Sequence, residues 1–377
     1  MNWSSRPFKR VVALLFLSLL SLLILFLALE IAIRSYDVIK GRGFFSSPRN
    51  ILAKPLTSVR PFRTFGRDLY KKSGDQTYIS SRWGELYPLE KPPGTFRIVC
   101  FGGSTTEDNV NGKHYPLLLQ TLLRKQFHRD NIEVINVGYS AYATPHLLIL
   151  LELDVLSWRP DLVILGENVN DLLASYFPGF TFDYSNKYSH PFYSIPNYRP
   201  NYSISNLLFQ HFEFYWFIKD KIEIWLRTRS ARRVKLRRKS YGNEPGLVAR
   251  EVFERNLRSF VTLAKSNQIQ VVLATQPLER DEEYFVRHAA YKPYNDVVVY
   301  PLHEEFIKHH DSFNRIIEHV ASDTGVIFVD NDRLLGGKKE YFIDYVHYSE
   351  KGLEILAQSY SEAIINSHLI YEASTSK

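Results

Sequence analysis

Hydrophobic positions follow two alternating spacings from about residue 95 onward. Short, continuous apolar runs bounded by glycine or polar residues are typical of buried parallel strands. Apolar positions three and four residues apart are typical of helices that bury one face. Five runs predict strands: 96–102, 132–138, 160–166, 269–277 and 326–330. Helical patterns separate or follow them at 114–127, 144–158, 251–268, 313–325 and 349–367. The alternation predicts an α/β fold with a doubly wound, mainly parallel five-stranded sheet and flanking helices.

A longer apolar run precedes this region. Residues 11–29, "VVALLFLSLLSLLILFLAL", carry no charge. As a helix they would extend about 28 Å, which matches the hydrocarbon thickness of a bilayer. We therefore expect one N-terminal transmembrane helix, an anchor at 11–33. A cleaved signal peptide is the rival interpretation, but no small-x-small cleavage site follows the run.

Flanking charges give the expected orientation of this anchor. Arg6, Lys9 and Arg10 lie on its N-terminal side, and Arg34, Lys40 and Arg42 nearly balance them on the other. A short tail with three cations usually stays in the cytoplasm. We expect residues 1–10 to be a cytoplasmic tail, which predicts a single-pass membrane protein whose large domain is extracytoplasmic.

The remaining segments complete the expected domain organisation. Residues 34–94 are rich in Arg, Pro, Gly, Ser and aromatics, with little periodicity, and predict a juxtamembrane linker and an N-terminal extension. The α/β domain is expected at 95–370. It contains an insertion at about 175–245, first aromatic and then basic.

Composition narrows the possible partners. The formal net charge is +7, but eight basic residues crowd into 227–239, and the rest of the chain is nearly neutral. This indicates a local patch and not a nucleic-acid-binding fold. The basic cluster suits a solvated helix face, an anionic membrane surface or an acidic glycan. The single cysteine, Cys100, excludes an intrachain disulfide and is expected in the core. We find no metal-ligand spacing and expect neither metal nor cofactor.

Polar residues with the chemistry of acyl transfer follow the predicted strand ends. A serine needs an adjacent base to become a nucleophile, an aspartate can orient that base, and an oxyanion needs preorganised donors. The candidates, in chain order, are Ser104, Gly138, Asn168, Asn170, Asp344 and His347. Gly102 and Gly103, directly before Ser104, are expected to permit a tight strand-to-helix turn with unusual φ and ψ.

These motifs, in this order, resemble the four blocks of the SGNH (GDSL-like) hydrolase superfamily over about residues 95–365. The resemblance implies an SGNH, flavodoxin-like fold. "GGST" resembles the first block and implies that Ser104 is the nucleophile. "NVGYS" resembles the second and implies that the Gly138 N–H is an oxyanion donor, beside that of Ser104. "DYVH" resembles the fourth and implies an Asp344–His347 acid and base pair from one turn.

Two blocks depart from the usual pattern. In the first block, Gly103 occupies the position of the aspartate in the usual G-D-S. Many relatives share this G-G-S form. The third block, usually G-x-N-D, has two registers in "GENVND". Asn170 with Asp171 matches the N-D pair, whereas Asn168 matches G-x-N without the aspartate. We favour Asn170 as the third oxyanion donor and keep Asn168 as the alternative.

The resemblance implies a serine esterase or acyl hydrolase that forms an acyl-serine intermediate without a cofactor. Its expected substrate is an ester-bearing small molecule, glycan or lipid, such as an O-acyl group of the cell envelope. Two alternatives stay open: a polysaccharide O-acetyltransferase with the same triad, and a catalytically inactive glycan-binding or scaffold module. The membrane is an expected partner through the N-terminal helix. The sequence predicts neither protein partners nor the oligomeric state.

Overall fold

A computed structural model gives the fold of most of the chain. The described residues are 6–39, 44, 58–60, 62–188, 212–215, 217, 218, 221, 222, 225, 246–290 and 298–370. The chain divides into two units. The smaller comprises Met1–Leu56 with Asn197–Arg229, and the larger comprises Thr57–Pro196 with Ser230–Lys377. The basic cluster at 227–239 and most of the 175–245 insertion lie outside the described residues.

The smaller unit contains helix α1, Arg6–Ile39. Its stretch Lys9–Tyr36 has a mean hydropathy of 3.0 and is long and apolar enough to cross a membrane. None of its most apolar window is buried within the protein. This length and composition are typical of membrane spans, and a signal sequence near an N-terminus shares them.

The larger unit is built on a parallel five-stranded sheet. Its strands are β6 (Phe96–Phe101), β7 (Ile132–Asn136), β8 (Leu162–Leu165), β9 (Gln270–Ala274) and β10 (Ile327–Val329). The spatial order is β10-β9-β8-β6-β7, and every pairing is parallel. The predicted doubly wound sheet is confirmed. Each strand is slightly shorter than its apolar run, because the flanking polar residues belong to loops.

Helices cover both faces of this sheet, which explains why the strands are apolar on both sides. Helices α3 (Tyr115–Phe127) and α11 (Glu350–Asn366) pack together, as do α4 (Thr144–Leu153), α7 (Gly246–Ser266) and α9 (His303–Thr324). Shorter helices are α2 (Ser104–Glu107), α5 (Val169–Tyr176), α6 (Ser185–Tyr188), α8 (Glu282–Ala289) and α10 (Asn331–Leu335). Cys100 is fully buried in the core, as expected.

The predicted N-terminal extension contains short strands. A two-stranded antiparallel sheet joins β1 (Ser58–Arg60) to β2 (Thr64–Gly66). A three-stranded antiparallel sheet joins β3 (Tyr70–Ser73), β4 (Gln76–Ser80) and β5 (Leu86–Pro88). These residues belong to the larger unit together with the parallel sheet.

Candidate active site

The candidate site lies at the carboxyl end of β6, where the strand order reverses. The chain passes from β6 to β7 on one side and then to β8 on the other. Such switch points leave a crevice beyond the strand ends in open α/β sheets. Ser104 is the first residue of α2, three residues beyond the end of β6, and therefore stands at this crevice.

Gly102 and Gly103 are required by lack of space and not by a left-handed backbone. Neither has a positive φ, and Gly103 has φ −84°. A Cβ on Gly103 would lie 2.6 Å from Glu167 Oε2 and 3.2 Å from Tyr142 O, with Asn170 Nδ2 closer still. Gly103 thus lets the third block approach the turn before Ser104 closely, and Gly102 leaves room for Thr106 of α2. Gly103 has φ −84° and ψ −144°, which lie outside the helical and extended regions as expected for this turn, and close approach is a second reason for glycine here.

Three side chains from the first and fourth blocks form a hydrogen-bonded chain. The Ser104 Oγ lies 2.7 Å from His347 Nε2, and His347 Nδ1 lies 2.7 Å from Asp344 Oδ2. The other Asp344 oxygen accepts the N–H groups of Val346 at 2.9 Å and His347 at 2.8 Å. Asp344 therefore fixes both the backbone of its turn and the orientation of the imidazole.

Carboxylates around His347 favour its protonated form. Burial opposes the charge, but the carboxylates of Asp108 and Asp344 raise the pKa of His347 to about 9. Burial acts against ionisation of Asp344 too, yet His347 and the N–H donors hold the pKa of that carboxyl well below its usual range. The pair is thus an imidazole beside an aspartate that stays ionised.

Asp108 was not among the predicted site residues. Its N–H donates to the Ser104 carbonyl at 2.8 Å, so Asp108 follows Ser104 by one helical turn. Its buried Oδ2 has no hydrogen-bond partner among the described residues, and burial raises its pKa to about 6. The sequence signal was available, since residues three and four positions apart share a helix face. Glu107 and Asp108 stand in those positions relative to Ser104.

Gly138 lies against the backbone of α2. A Cβ at this position would lie 2.5 Å from Glu107 N and 2.7 Å from the Thr106 carbonyl carbon. Its N–H donates to Asn136 Oδ1 at 2.9 Å, and the Asn136 amide donates to Thr106 O at 2.8 Å. Gly138 thus holds the second block next to α2. Its role as an oxyanion donor stays a prediction.

We expect Gly138→Ala to weaken both stability and activity. The added methyl must displace the α2 backbone, and forced overpacking typically costs about 1–3 kcal/mol in the free energy of unfolding. Chemical denaturation and steady-state ester hydrolysis measure the two effects. Unchanged stability together with unchanged turnover would contradict the packing role.

The two candidate asparagines of the third block have different surroundings. Asn168 is fully buried, and its amide nitrogen donates to His310 O at 3.1 Å and Asn314 Oδ1 at 2.8 Å. Asn170 is partly exposed, and its amide nitrogen donates to Tyr142 O at 2.9 Å. Each amide nitrogen carries two hydrogens. The second hydrogen of Asn170 therefore has no acceptor among the described residues, whereas both hydrogens of Asn168 are used.

A buried carboxylate connects the first and third blocks. Glu167 Oε2 accepts the Gly103 N–H at 2.7 Å, and its Oε1 accepts the Asn170 N–H at 3.0 Å. Lys187, fully buried, donates to the Asn170 carbonyl at 2.9 Å. Burial raises the pKa of Glu167 to about 8 and lowers that of Lys187 to about 8. The position of Asn170 thus depends on buried polar partners that the sequence motifs did not include.

The N-terminal extension reaches the same site. Arg82 forms an ion pair with Glu107, and Trp83 Nε1 donates to the Glu107 carbonyl at 2.6 Å. The Glu107 carboxylate also accepts the Ser140 N–H at 2.7 Å. Glu107, on α2, therefore contacts both the N-terminal extension and the second block.

One group of possible metal ligands occurs among the described residues. It comprises His310, Asp311 and Asp332. The Arg280 guanidinium bonds to both aspartates, at 3.0 and 2.7 Å. A cation of the protein thus already balances these carboxylates, and we assign no metal to them. The expectation that the chain needs no metal stays a prediction.

Two solved structures of other proteins are similar to this chain at low sequence identity. A crystal structure of a GDSL-like lipase from Bacteroides thetaiotaomicron aligns at 15% identity over 72% of this chain and 88% of its own, with a TM-score of 0.40. An acetylxylan esterase from Geobacillus stearothermophilus aligns at 18% identity over 71% and 94%, with a TM-score of 0.41. None of the curated proteins compared matches the chain.

The family comparison covers more than half of the sequence. Residues 100–355 match the GDSL-like Lipase/Acylhydrolase family. The match extends from the strand before Ser104 into the helix after His347, and so includes all four motif blocks. The chain belongs to the GDSL-like lipase/acylhydrolase family, whose enzymes hydrolyse ester bonds.

Proposed function

We propose that this protein is a membrane-tethered serine esterase that acts through an acyl-serine intermediate. The observation that carries the proposal is the hydrogen-bonded chain from Ser104 Oγ through His347 to Asp344, with both links at 2.7 Å. A serine, an imidazole and a carboxylate in this order form the general arrangement for nucleophilic acyl transfer.

The first half-reaction forms the acyl-enzyme. With the Nδ1 proton donated to Asp344, the His347 Nε2 is an acceptor and takes the proton of Ser104. The serine oxygen then forms a bond to the ester carbonyl carbon, and a tetrahedral oxyanion results. His347 returns the proton to the departing alcohol as the C–O bond breaks.

The second half-reaction releases the acid. Water gives its proton to His347 and attacks the acyl-serine carbonyl. The second tetrahedral intermediate collapses, Ser104 regains its proton and the carboxylic acid leaves. Asp344 stabilises the imidazolium in both halves and remains ionised throughout.

Two donors are assigned to the oxyanion. The Ser104 N–H has no acceptor among the described residues, and the Asn170 amide keeps one hydrogen beyond its bond to Tyr142 O. We assign the oxyanion to these two groups and prefer Asn170 over Asn168. The Gly138 N–H is directed at Asn136 Oδ1 and joins them only if that bond opens.

The substrate class follows from the placement of the domain. We propose that α1 is retained as a single membrane span and that the catalytic domain lies on the extracytoplasmic side. An anchored esterase acts within reach of the membrane, so the substrate is an O-acyl group of a cell-envelope glycan or lipid. Under the same proposal, the α/β domain spans 95–370 with the insertion at about 175–245.

The proposal is tested with the full chain in lipid nanodiscs and p-nitrophenyl acetate. An acyl-serine mechanism predicts a rapid initial release of p-nitrophenol, with one equivalent per active site, before steady turnover. Slow release with no dependence on Ser104 would contradict an esterase function.

The pH dependence of hydrolysis follows from His347. The base works only when neutral, and the pKa of His347 is raised to about 9. We therefore expect kcat/KM to rise about tenfold per pH unit below that value and to level off above it. A pH–rate profile between pH 6 and 10 measures this. A profile flat from pH 7 would contradict the assignment.

The Asp108→Asn substitution tests how much the Asp108 carboxylate raises the pKa of His347. Asp108, Asp344 and Glu107 all raise the pKa of His347, and removal of one charge is expected to lower the apparent midpoint by about one pH unit. A purely structural role would reduce activity at all pH values alike and leave the midpoint in place. The difference between the two profiles decides between these roles.

A further inference from the structure

An acidic residue directly follows the apolar run of α1. Glu30 comes immediately after the uncharged stretch 11–29, and yet it is only 6% exposed. A carboxylate near hydrocarbon is costly unless hydrogen bonds compensate it. The hydrogen-bond donors to Glu30 therefore identify the segment that lies beside this end of the apolar run.

The partners of Glu30 come from the aromatic segment, which we define as residues 212–225. Glu30 Oε1 accepts the Glu213 N–H at 3.0 Å, and Oε2 accepts the Phe214 N–H at 2.7 Å. Both donors are first-turn residues of a helical stretch, where N–H groups lack intrahelical partners. Arg34 adds an ion pair to Glu30 at 2.6 Å. Glu30 thus caps the start of the aromatic segment.

Ring contacts reinforce this attachment. The Phe26 ring lies 5.0 Å from that of Phe212 and 5.4 Å from that of Phe214, and both contacts are edge-to-face. Phe26 lies within the apolar run, one helical turn before Glu30. The aromatic segment therefore begins at the boundary between the apolar run and the polar part of the chain.

Beyond this attachment the aromatic segment exposes apolar side chains. Ile218, Ile222 and Trp225 are exposed by 39, 52 and 56%. Their spacing of four and three residues places them on one helical face. A tryptophan and aliphatic residues on one face, at the level of a membrane boundary, are typical of helices that lie in the interface.

The basic sequence after the aromatic segment indicates which kind of membrane surface the segment would bind. Residues 227–239 contain eight basic residues and no acidic one, directly after the aromatic segment. Basic residues near a membrane are attracted to anionic headgroups, at about 1 kcal/mol each. An interfacial apolar face followed by such a run matches an anionic phospholipid surface.

We propose that the aromatic segment is a second membrane contact, which lies in the headgroup region of anionic phospholipids beside α1. Its hydrogen bonds to Glu30 place its first turn at that depth. The positive charge of the sequence at 227–239 favours anionic over zwitterionic lipid. This inference rests on the proposed membrane span of α1 and not on the ester chemistry.

The test measures the depth of Trp225 in the full chain. Wild type and Trp225→Phe are reconstituted in nanodiscs with or without a shallow spin-labelled lipid, in zwitterionic or phosphatidylglycerol-containing bilayers. The difference between the two proteins gives the Trp225 emission. We expect spin-labelled lipid to quench this emission at least about twofold, as for a tryptophan at the interface.

A second variant tests the choice of anionic lipid. In Arg232→Gln/Arg233→Gln/Arg237→Gln/Arg238→Gln, quenching in anionic discs is expected to fall to the level seen in zwitterionic discs. Absence of Trp225 quenching in both lipids overturns the proposal. A Trp225 emission that responds to added alginate but not to labelled lipid also overturns it, in favour of an acidic glycan. A chain that fails to enter nanodiscs contradicts the span of α1 instead.

Discussion

Ser104→Ala is expected to lower kcat for ester hydrolysis by about 10⁴-fold or more, because it removes the atom that forms the acyl-enzyme. The Ser104 hydroxyl has its bond to His347 Nε2, so the substitution deletes one hydroxyl and creates little free volume. Folding stability is therefore expected to change little. Stopped-flow and steady-state hydrolysis of p-nitrophenyl acetate measure the loss of both the initial release and the turnover.

Ser157→Ala is the matched control for this substitution. Ser157 is exposed, its hydroxyl donates to the Asp154 carbonyl, and it belongs to none of the four blocks. We expect it to keep the full initial release. A Ser104→Ala protein that hydrolyses the ester within about tenfold of wild type would exclude Ser104 as the nucleophile.

Asn170→Ala is expected to reduce kcat by about 10²–10³-fold, the usual effect of removing one oxyanion donor. The amide also donates to Tyr142 O, so a small loss of stability accompanies the kinetic loss. Because the donor acts on the transition state, kcat should fall more than KM changes. Steady-state kinetics with separate kcat and KM values measure this division.

Asn168→Ala provides the comparison within the same block. Both of its amide hydrogens are used in the interior, by His310 O and Asn314 Oδ1. Its loss removes two buried hydrogen bonds and is expected to cost about 1–3 kcal/mol in the free energy of unfolding. Chemical denaturation detects that cost. If Asn168→Ala lost turnover without stability while Asn170→Ala kept turnover, the assignment would be reversed.

The sheet could be predicted from sequence because its signal is local. Strands buried on both faces, such as "RIVCF" and "LVIL", read as continuous apolar runs that few other elements imitate. Helix lengths were less secure. Helix α9 begins at His303, ten residues before its predicted start, because its first turns carry charged residues outside the apolar spacing.

Parts of the site depend on contacts that no local pattern reveals. Asn168 and Asn170 are nearly equivalent in sequence, and their surroundings differ through Asn314 on α9, 146 residues from Asn168. The ion pair between Arg82 and Glu107 also joins residues 25 positions apart, with strands β5 and β6 between them. Motif order grouped Ser104, Asp344 and His347, which form one hydrogen-bonded chain in the structure, but the residues that hold them could be found only from the folded structure.

Covalent labelling with a fluorophosphonate tests the central claim most directly, since such reagents react with a serine that an adjacent base activates. Intact-protein and peptide mass spectrometry then locate the adduct. The account predicts one phosphonyl group per chain, attached to Ser104, and labelling that is absent in Ser104→Ala and strongly slowed in His347→Ala. An unlabelled chain, a label on another residue, or an equal labelling rate without His347 would contradict it.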